Sequence, residues 1–205
     1  METGDVFVVS APSGAGKTTI CKKLLERVEG LRMSVSYTTR PRKAGEEPGK
    51  DYFFVTSEVF DKMVNSKAFL EHASVYGHRY GTSREGVLEI VSRGMDALLE
   101  IDVQGGRKVK DSLPGAVLVA VFPPDRQSLK RRLFGRGRDS REEMEERMLA
   151  GAREAQELLA YDYLVLNDDL DAAVSRVEAI ITAHRLRRER AKVRMERIIS
   201  RIGKE

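Results

Sequence analysis

Ten residues near the amino terminus, Ser10 to Thr19 (SAPSGAGKTT), combine the residue types that hold phosphate. Glycines at 14 and 16 let backbone N–H groups converge on phosphate oxygens with no Cβ in the way. The apolar run Val6–Val9 precedes this segment and a helical pattern follows, so the segment is a phosphate-binding loop opening a helix. The helix dipole then adds favourable potential for an anion. Lys17 is placed to reach the β- and γ-phosphates of a nucleoside triphosphate, and Thr18 to offer its hydroxyl to Mg²⁺. The strict form of the motif has Gly where this chain has Ala11, a departure from the pattern. Asp102 ends the apolar strand Ala97–Ile101, where a carboxylate would stand near the water shell of the same Mg²⁺.

A phosphate cradle of this kind serves ATPases, GTPases and kinases alike, so an acceptor has to be read from elsewhere in the chain. Three clusters offer one. Ser36 to Lys43 (SYTTRPRK) concentrates Arg40, Arg42 and Lys43 on a loop suited to a second phosphate. Phe69 to Ser83 (FLEHASVYGHRYGTS) carries Glu71, Tyr80 and Thr82. Arg131 to Arg147 (RRLFGRGRDSREEMEER) is dense in arginine.

The elements that must position these groups alternate. Strands are predicted at Val6–Ala11, Met33–Tyr37, Tyr52–Val55, Phe69–Tyr76, Ala97–Ile101, Ala116–Phe122 and Tyr163–Leu166. Helices are predicted near 16–29, 57–66, 83–93, 105–112, 125–135, 140–159 and 169–200. The β-α alternation, with several strands too apolar for one exposed face, predicts a parallel sheet covered on both sides. Residues 38–51, rich in Pro, Gly and charge, break the alternation and lead into an inserted subdomain.

The chain has 205 residues, a length that suggests one domain with room for a sizeable core. Its 41% hydrophobic and 33% charged residues exclude wholesale disorder. A single Cys excludes an internal disulfide framework and makes a reducing, cytoplasmic setting the expectation. No apolar stretch approaches the ~20 residues that span a bilayer, and Glu2 and Asp5 stand where a signal peptide wants basic residues. The formal charge of +4 is unevenly placed. Residues 184–205 hold nine Lys or Arg against three Asp or Glu, a net +6, which leaves −2 for the rest.

Taken together, SAPSGAGKT, SVSYTTR, GKDYFFV, FLEHASVYGHRYGTS, LEIDVQG and YDYLVLNDDL resemble the guanylate kinases, over roughly residues 4–185. The resemblance implies an α/β P-loop three-layer fold with a central, mainly parallel sheet, an inserted GMP-binding subdomain and a mobile lid. Its divisions would be a kinase domain over 1–183 and a basic helical tail over 184–205. Within the domain, the core would take 1–34, 83–125 and 148–183, the GMP-binding subdomain about 35–82, and the lid about 126–147. The implied activity is transfer of the γ-phosphate of ATP to GMP, and also to dGMP, with Mg²⁺, in guanine nucleotide synthesis and recycling.

The same resemblance assigns roles. ATP falls to Ser13, Gly14, Ala15, Gly16, Lys17, Thr18, Thr19 and Arg136, with Asn167 and Asp168 beside the adenine. The GMP phosphate falls to Ser36, Arg40, Lys43, Tyr52 and Tyr80, with Glu100 and Asp102 on the GMP and metal side. Either Lys43 or Arg42 takes the place of a second arginine, since Lys is a point charge where Arg offers a fork. Glu71 and Thr82 would read the base. Guanine presents N1–H and N2–H₂ as paired donors, which a carboxylate accepts in parallel, and adenine lacks the pair. Lys17, Arg40, Arg132, Arg136 and Arg147 would stabilise charge on the transferring phosphoryl group.

Some residues carry blander readings. Cys21 reads as a small core residue, and His72 and His78 as surface or packing groups without a metal-ligand pattern. The tail reads as an amphipathic helix, with Ile198 and Ile202 on a shared face that could pack on the body or on a second subunit of a homo-oligomer. Two rival functions remain: a catalytically silent relative that binds partners through the GMP site, against which Lys17, Thr18, Arg136 and Arg147 speak, and a nucleic-acid binder using the tail. Nucleic acid and membrane are not the expected partners.

Overall fold

The computed structural model describes residues 3–75, 77–134 and 141–202, with the backbone alone for 132–134, 141–148 and 150. In chain order its elements are β1 (Val6–Ser10), α1 (Lys17–Arg27), β2 (Leu31–Met33), β3 (Tyr37–Thr38), β4 (Phe53–Phe54), α2 (Ser57–Asn65), β5 (Phe69–Val75) and β6 (His78–Ser83). There follow α3 (Arg84–Ser92), β7 (Asp96–Glu100), α4 (Val103–Ser112), β8 (Val117–Phe122), α5 (Arg126–Phe134), α6 (Arg141–Leu158), β9 (Tyr163–Leu166), α7 (Leu170–Arg185) and α8 (Arg188–Ile202).

Five strands form the central sheet in the order β2-β7-β1-β8-β9, and every pairing in it is parallel. Side chains alternate across a strand, and β1 is apolar at every step from Val6 to Val9, so both faces of the sheet must be covered. Phe7 and Val9 join one core with Ile20, Cys21 and Leu24 of α1 and Val174, Val177 and Ile181 of α7. Val6 and Val8 join the other, with Val87 of α3, Val103 and Val109 of α4 and Leu158 of α6. The expected helix–sheet–helix layering is therefore present. Cys21 is fully buried in the first core, and burial pushes its thiol far above the ordinary range, as suits a packing residue.

A second sheet, β4-β3-β6-β5, lies in the segment between β2 and α3 and is mixed. Two sequence expectations change here. The single strand predicted over Met33–Tyr37 is two, because Ser34–Ser36 carry the chain from the central sheet to the small one. The strand starting at Phe69 returns through Gly77, at φ 75°, as the unpredicted β6. β6 shows no apolar alternation, yet Gly81 and Thr82 are its buried residues.

The helix predicted over 169–200 also divides in two, at Leu186–Arg187, with no Pro or Gly to announce the break. The turn brings Arg190 back onto the start of β7. Arg190 bonds both Asp5 (2.6 Å) and the fully buried Asp96 (2.7 Å), while Arg185 holds the other Asp96 oxygen at 2.7 Å. Two of the tail's cations thus clamp the amino-terminal edge of the sheet. Beyond them α8 buries nothing, and Val193, Met195, Ile198, Ile199 and Ile202 are exposed. Among the described residues, no helix is long and apolar enough to cross a membrane.

Asp96→Asn keeps the shape but removes the charge between two arginines. We expect it to lower unfolding free energy by on the order of 2–4 kcal/mol. Urea denaturation would show this as a lower midpoint; an unchanged midpoint would mean that the clamp contributes nothing.

Candidate functional site

The phosphate-binding loop leaves β1 at the carboxyl edge of the central sheet, where parallel α/β sheets place their ligands. Gly14 (φ 87°) and Gly16 (φ 98°) both take left-handed conformations that side chains resist. Ala11 has no positive φ and packs in the core, so the motif's departure at that position costs the loop no conformation it needs. Gly16 caps α1 without a side-chain bond, and the first turn holds no acidic residue of its own, so the helix supplies no anion to its own positive end.

Because β7 pairs with β1, the residues after β7 face the loop. Lys17 Nζ donates to the Ile101 carbonyl at 2.8 Å, and the Thr18 hydroxyl donates to the Glu100 carboxylate. The partner of Thr18 is thus Glu100. Asp102 instead caps α4, with Oδ1 accepting the Gly105 N–H at 2.7 Å. A hydroxyl and a carboxylate side by side are hard oxygen donors of the kind Mg²⁺ takes while keeping several waters. Residues Thr18 and Glu100 therefore suit that ion, with Asp102 adjoining.

Asn167, buried at the end of β9, donates its amide to the Ala15 carbonyl at 2.7 Å and so braces the cradle. Asp168 pairs with Arg176 (2.6 Å), which holds its carboxyl down to about 2. Ser13 meets the carboxyl of Glu154 on α6, a residue the sequence did not single out. Burial pushes that carboxyl upward, and the Ser13 N–H opposes the shift. Tyr161, also unremarked, donates to Ser10 Oγ (3.0 Å) and Val103 O (3.2 Å), while Ser10 donates to Asp102 O (3.2 Å). Burial moves the Tyr161 phenol up to about 12, so it stays a donor.

Glu71 and Thr82 are register partners on β5 and β6. Glu71 is 7% exposed and Thr82 1%, and the Thr82 hydroxyl donates to Glu71 Oε1 at 2.6 Å. Burial raises the Glu71 carboxyl above its ordinary range; the Thr82 bond opposes this, Asp102 adds to it, and Lys108 opposes it. An oriented, buried carboxylate of this kind can accept a planar pair of donors.

On the same small sheet, a depression of about 720 Å³ is lined by Arg40, Arg42, Lys43, Glu46, Tyr52 and Tyr80 among others. The Arg40 guanidinium lies 5.4 Å from the Tyr52 ring and 5.8 Å from that of Phe54. Glu46 also fixes it, with Oε1 on Arg40 at 2.7 Å and Oε2 on the Lys43 N–H at 2.8 Å. That bracing holds the Glu46 carboxyl below its ordinary range. No local pattern marked Glu46, because its role depends on the loop folding back on itself. Arg42 and Lys43 both line the depression, whereas Ser36, whose carbonyl accepts the Phe53 N–H at 2.9 Å, does not.

The arginines expected in the lid, Arg132, Arg136 and Arg147, have side chains outside the described residues. A separate depression of about 520 Å³, between α2 and α3, is lined by none of the candidate residues.

Comparison with known proteins adds an independent finding. A family model described as guanylate kinase matches residues 3–184. A guanylate kinase of Nitrosococcus oceani is 42% identical over 200 residues, covering 98% of each chain. One from Alkalilimnicola ehrlichii is 46% identical over 187 residues, 91% of this chain and 92% of the other. Among solved structures, a guanylate kinase from Anaplasma phagocytophilum superposes with a TM-score of 0.76 at 33% identity, over 92% of this chain and 90% of that one.

The buried pair yields a direct expectation. An NMR titration of the glutamate side chains should find Glu71 taking up its proton above the ordinary carboxylate range. Thr82→Val, which removes a bond that favours the charged form, should move it further up. A Glu71 that titrates like an exposed glutamate would contradict the burial.

Proposed function

The chain belongs to the guanylate kinase family and is an ATP:GMP phosphotransferase, and from that premise we propose which of its own residues do the work. ATP's phosphates would lie in the cradle formed by Ser13, Gly14, Ala15, Gly16, Lys17, Thr18 and Thr19. Lys17 would leave the Ile101 carbonyl for the β- and γ-phosphate oxygens, exchanging a neutral acceptor for an anionic one. GMP would place its base edge on Glu71 and Thr82 and its phosphate among Arg40, Tyr52, Tyr80 and the basic pair Arg42 and Lys43, with Ser36 nearby. The observation that carries this reading is the joint at the end of β7. There Glu100 meets Thr18, Ile101 meets Lys17, and Asp102 adjoins Glu71 across Gly105.

With both nucleotides so placed, an oxygen of the GMP phosphate attacks the γ-phosphorus. The new P–O bond forms as the bond to the β-γ bridging oxygen breaks, and ADP and GDP result. The attacking oxygen is already ionised at neutral pH, so no side chain has to remove a proton. Catalysis is then positioning and charge stabilisation. Mg²⁺ bound at Thr18 and Glu100, with Asp102 acting through water, would neutralise charge on the phosphates. Arg132, Arg136 and Arg147 fall to the same task by family resemblance, on a lid over about 126–147 that would also exclude water. The segment 35–82 would form the GMP-binding half. GDP as product points to guanine nucleotide synthesis and recycling as the physiological setting.

Production of ADP from ATP and Mg²⁺ that depends on GMP tests the assignment. Lys17→Ala should lower it by on the order of 10²–10³-fold with the fold intact. Glu71→Gln should remove about 1–3 kcal/mol of the preference for GMP over AMP while sparing ATP binding. Wild-type discrimination in that variant would sink the base-reading role.

A further inference from the structure

Gly105 stands in the first turn of α4, where its backbone needs no left-handed conformation. Glycine inside a helix costs stability relative to alanine, so its presence calls for a cause other than backbone geometry. A Cβ at this position would lie 3.0 Å from Glu71 Oε2, 3.2 Å from Glu71 Cδ and 3.2 Å from Asp102 Oδ1. All three distances are tighter than ordinary van der Waals contact. The neighbour that would have to yield is the carboxylate assigned to guanine, already held from its far side by Thr82.

The helix cannot simply retreat. Lys108, one turn on, donates Nζ to the His72 carbonyl of β5 at 2.9 Å, and Ser112 donates to the Leu70 carbonyl at 3.4 Å. The Gly105 N–H is itself bonded to Asp102, which fixes the first turn. A side chain at 105 would therefore displace Glu71 rather than α4.

We infer that Gly105 is a specificity-determining position: its missing side chain forms the slot in which the Glu71 carboxylate stands to meet the paired donors of guanine. The inference rests on the assignment of Glu71 to the base. Gly106 supplies a contrast. A Cβ there would come 2.0 Å from the Tyr161 hydroxyl oxygen, so that glycine serves packing beneath the cradle.

Gly105→Ala separates the two kinds of role. Helix propensity alone would leave thermal stability unchanged or improved. The slot predicts a KM for GMP raised roughly tenfold, the scale of one damaged bidentate contact. KM for ATP should be unchanged, and the preference for GMP over IMP, which lacks the N2 amino group, should shrink. Gly106→Ala should instead lower the melting temperature. An unaltered KM for GMP in folded Gly105→Ala would overturn the inference, as would equal losses for ATP and GMP. Should that variant not fold, Glu71→Asp added to it shortens the carboxylate side chain by one methylene, withdraws it from a Cβ at 105 and should restore folding; failure to recover there would overturn the inference equally. Glu71→Gln, run alongside, distinguishes the failures: if it leaves the preference for GMP over IMP intact, the base assignment itself has failed.

Discussion

Three consecutive residues at the carboxyl end of β7 hold the site together. Glu100 receives the Thr18 hydroxyl, the Ile101 carbonyl receives Lys17, and Asp102 caps α4 beside the Glu71 carboxylate. This is possible because β7 lies next to β1 in a parallel sheet, so both strands deliver their following loops to one edge. In the proposed reading, the phosphate cradle and the base slot are therefore coupled. They share a strand end, and a displacement of that end would be felt by both nucleotides.

Around this joint, charge is local. The chain's net +4 says little about the site, since Arg185 and Arg190 of the basic segment are engaged with Asp96 at the opposite edge of the sheet. In the proposed reading, anion affinity resides in the helix α1 terminus with Lys17, and in Arg40 with its two basic neighbours. Lys17 and Arg40 are already oriented, Lys17 by a carbonyl and Arg40 by Glu46 and two aromatic rings. Such orientation lowers the entropy lost when a phosphate arrives. It also explains how carboxylates can lie close to anion sites without defeating them, since Glu46 and Glu100 hold donors in place.

The cradle was readable from sequence because its chemistry is local: glycines, lysine and threonine act within one turn of chain. The alternation of strands and helices was readable because a parallel sheet covered on both faces demands apolar strands. What escaped depends on tertiary approach. β6 is built of His, Arg, Tyr, Gly, Thr and Ser, which show no period-two apolar pattern, yet Gly81 and Thr82 are buried by their neighbours. The break after α7, which carries Arg190 to Asp96 across the fold, has no breaker residue to mark it. Glu46, Glu154, Tyr161 and Gly105 gain their roles from chain segments distant in sequence or folded back in a loop. Asn167, expected at the adenine, is bonded to the Ala15 carbonyl of the cradle, a contact that no spacing reveals.

The central claim is that one strand end couples phosphate and base recognition. A crystal structure with GMP, a non-hydrolysable ATP analogue and Mg²⁺ tests it most directly. The account predicts guanine N1 and N2 within hydrogen-bonding distance of the Glu71 carboxylate, and Lys17 moved from the Ile101 carbonyl onto the analogue's phosphates. Guanine bound away from Glu71, or Lys17 still on Ile101 with both nucleotides in place, would contradict it.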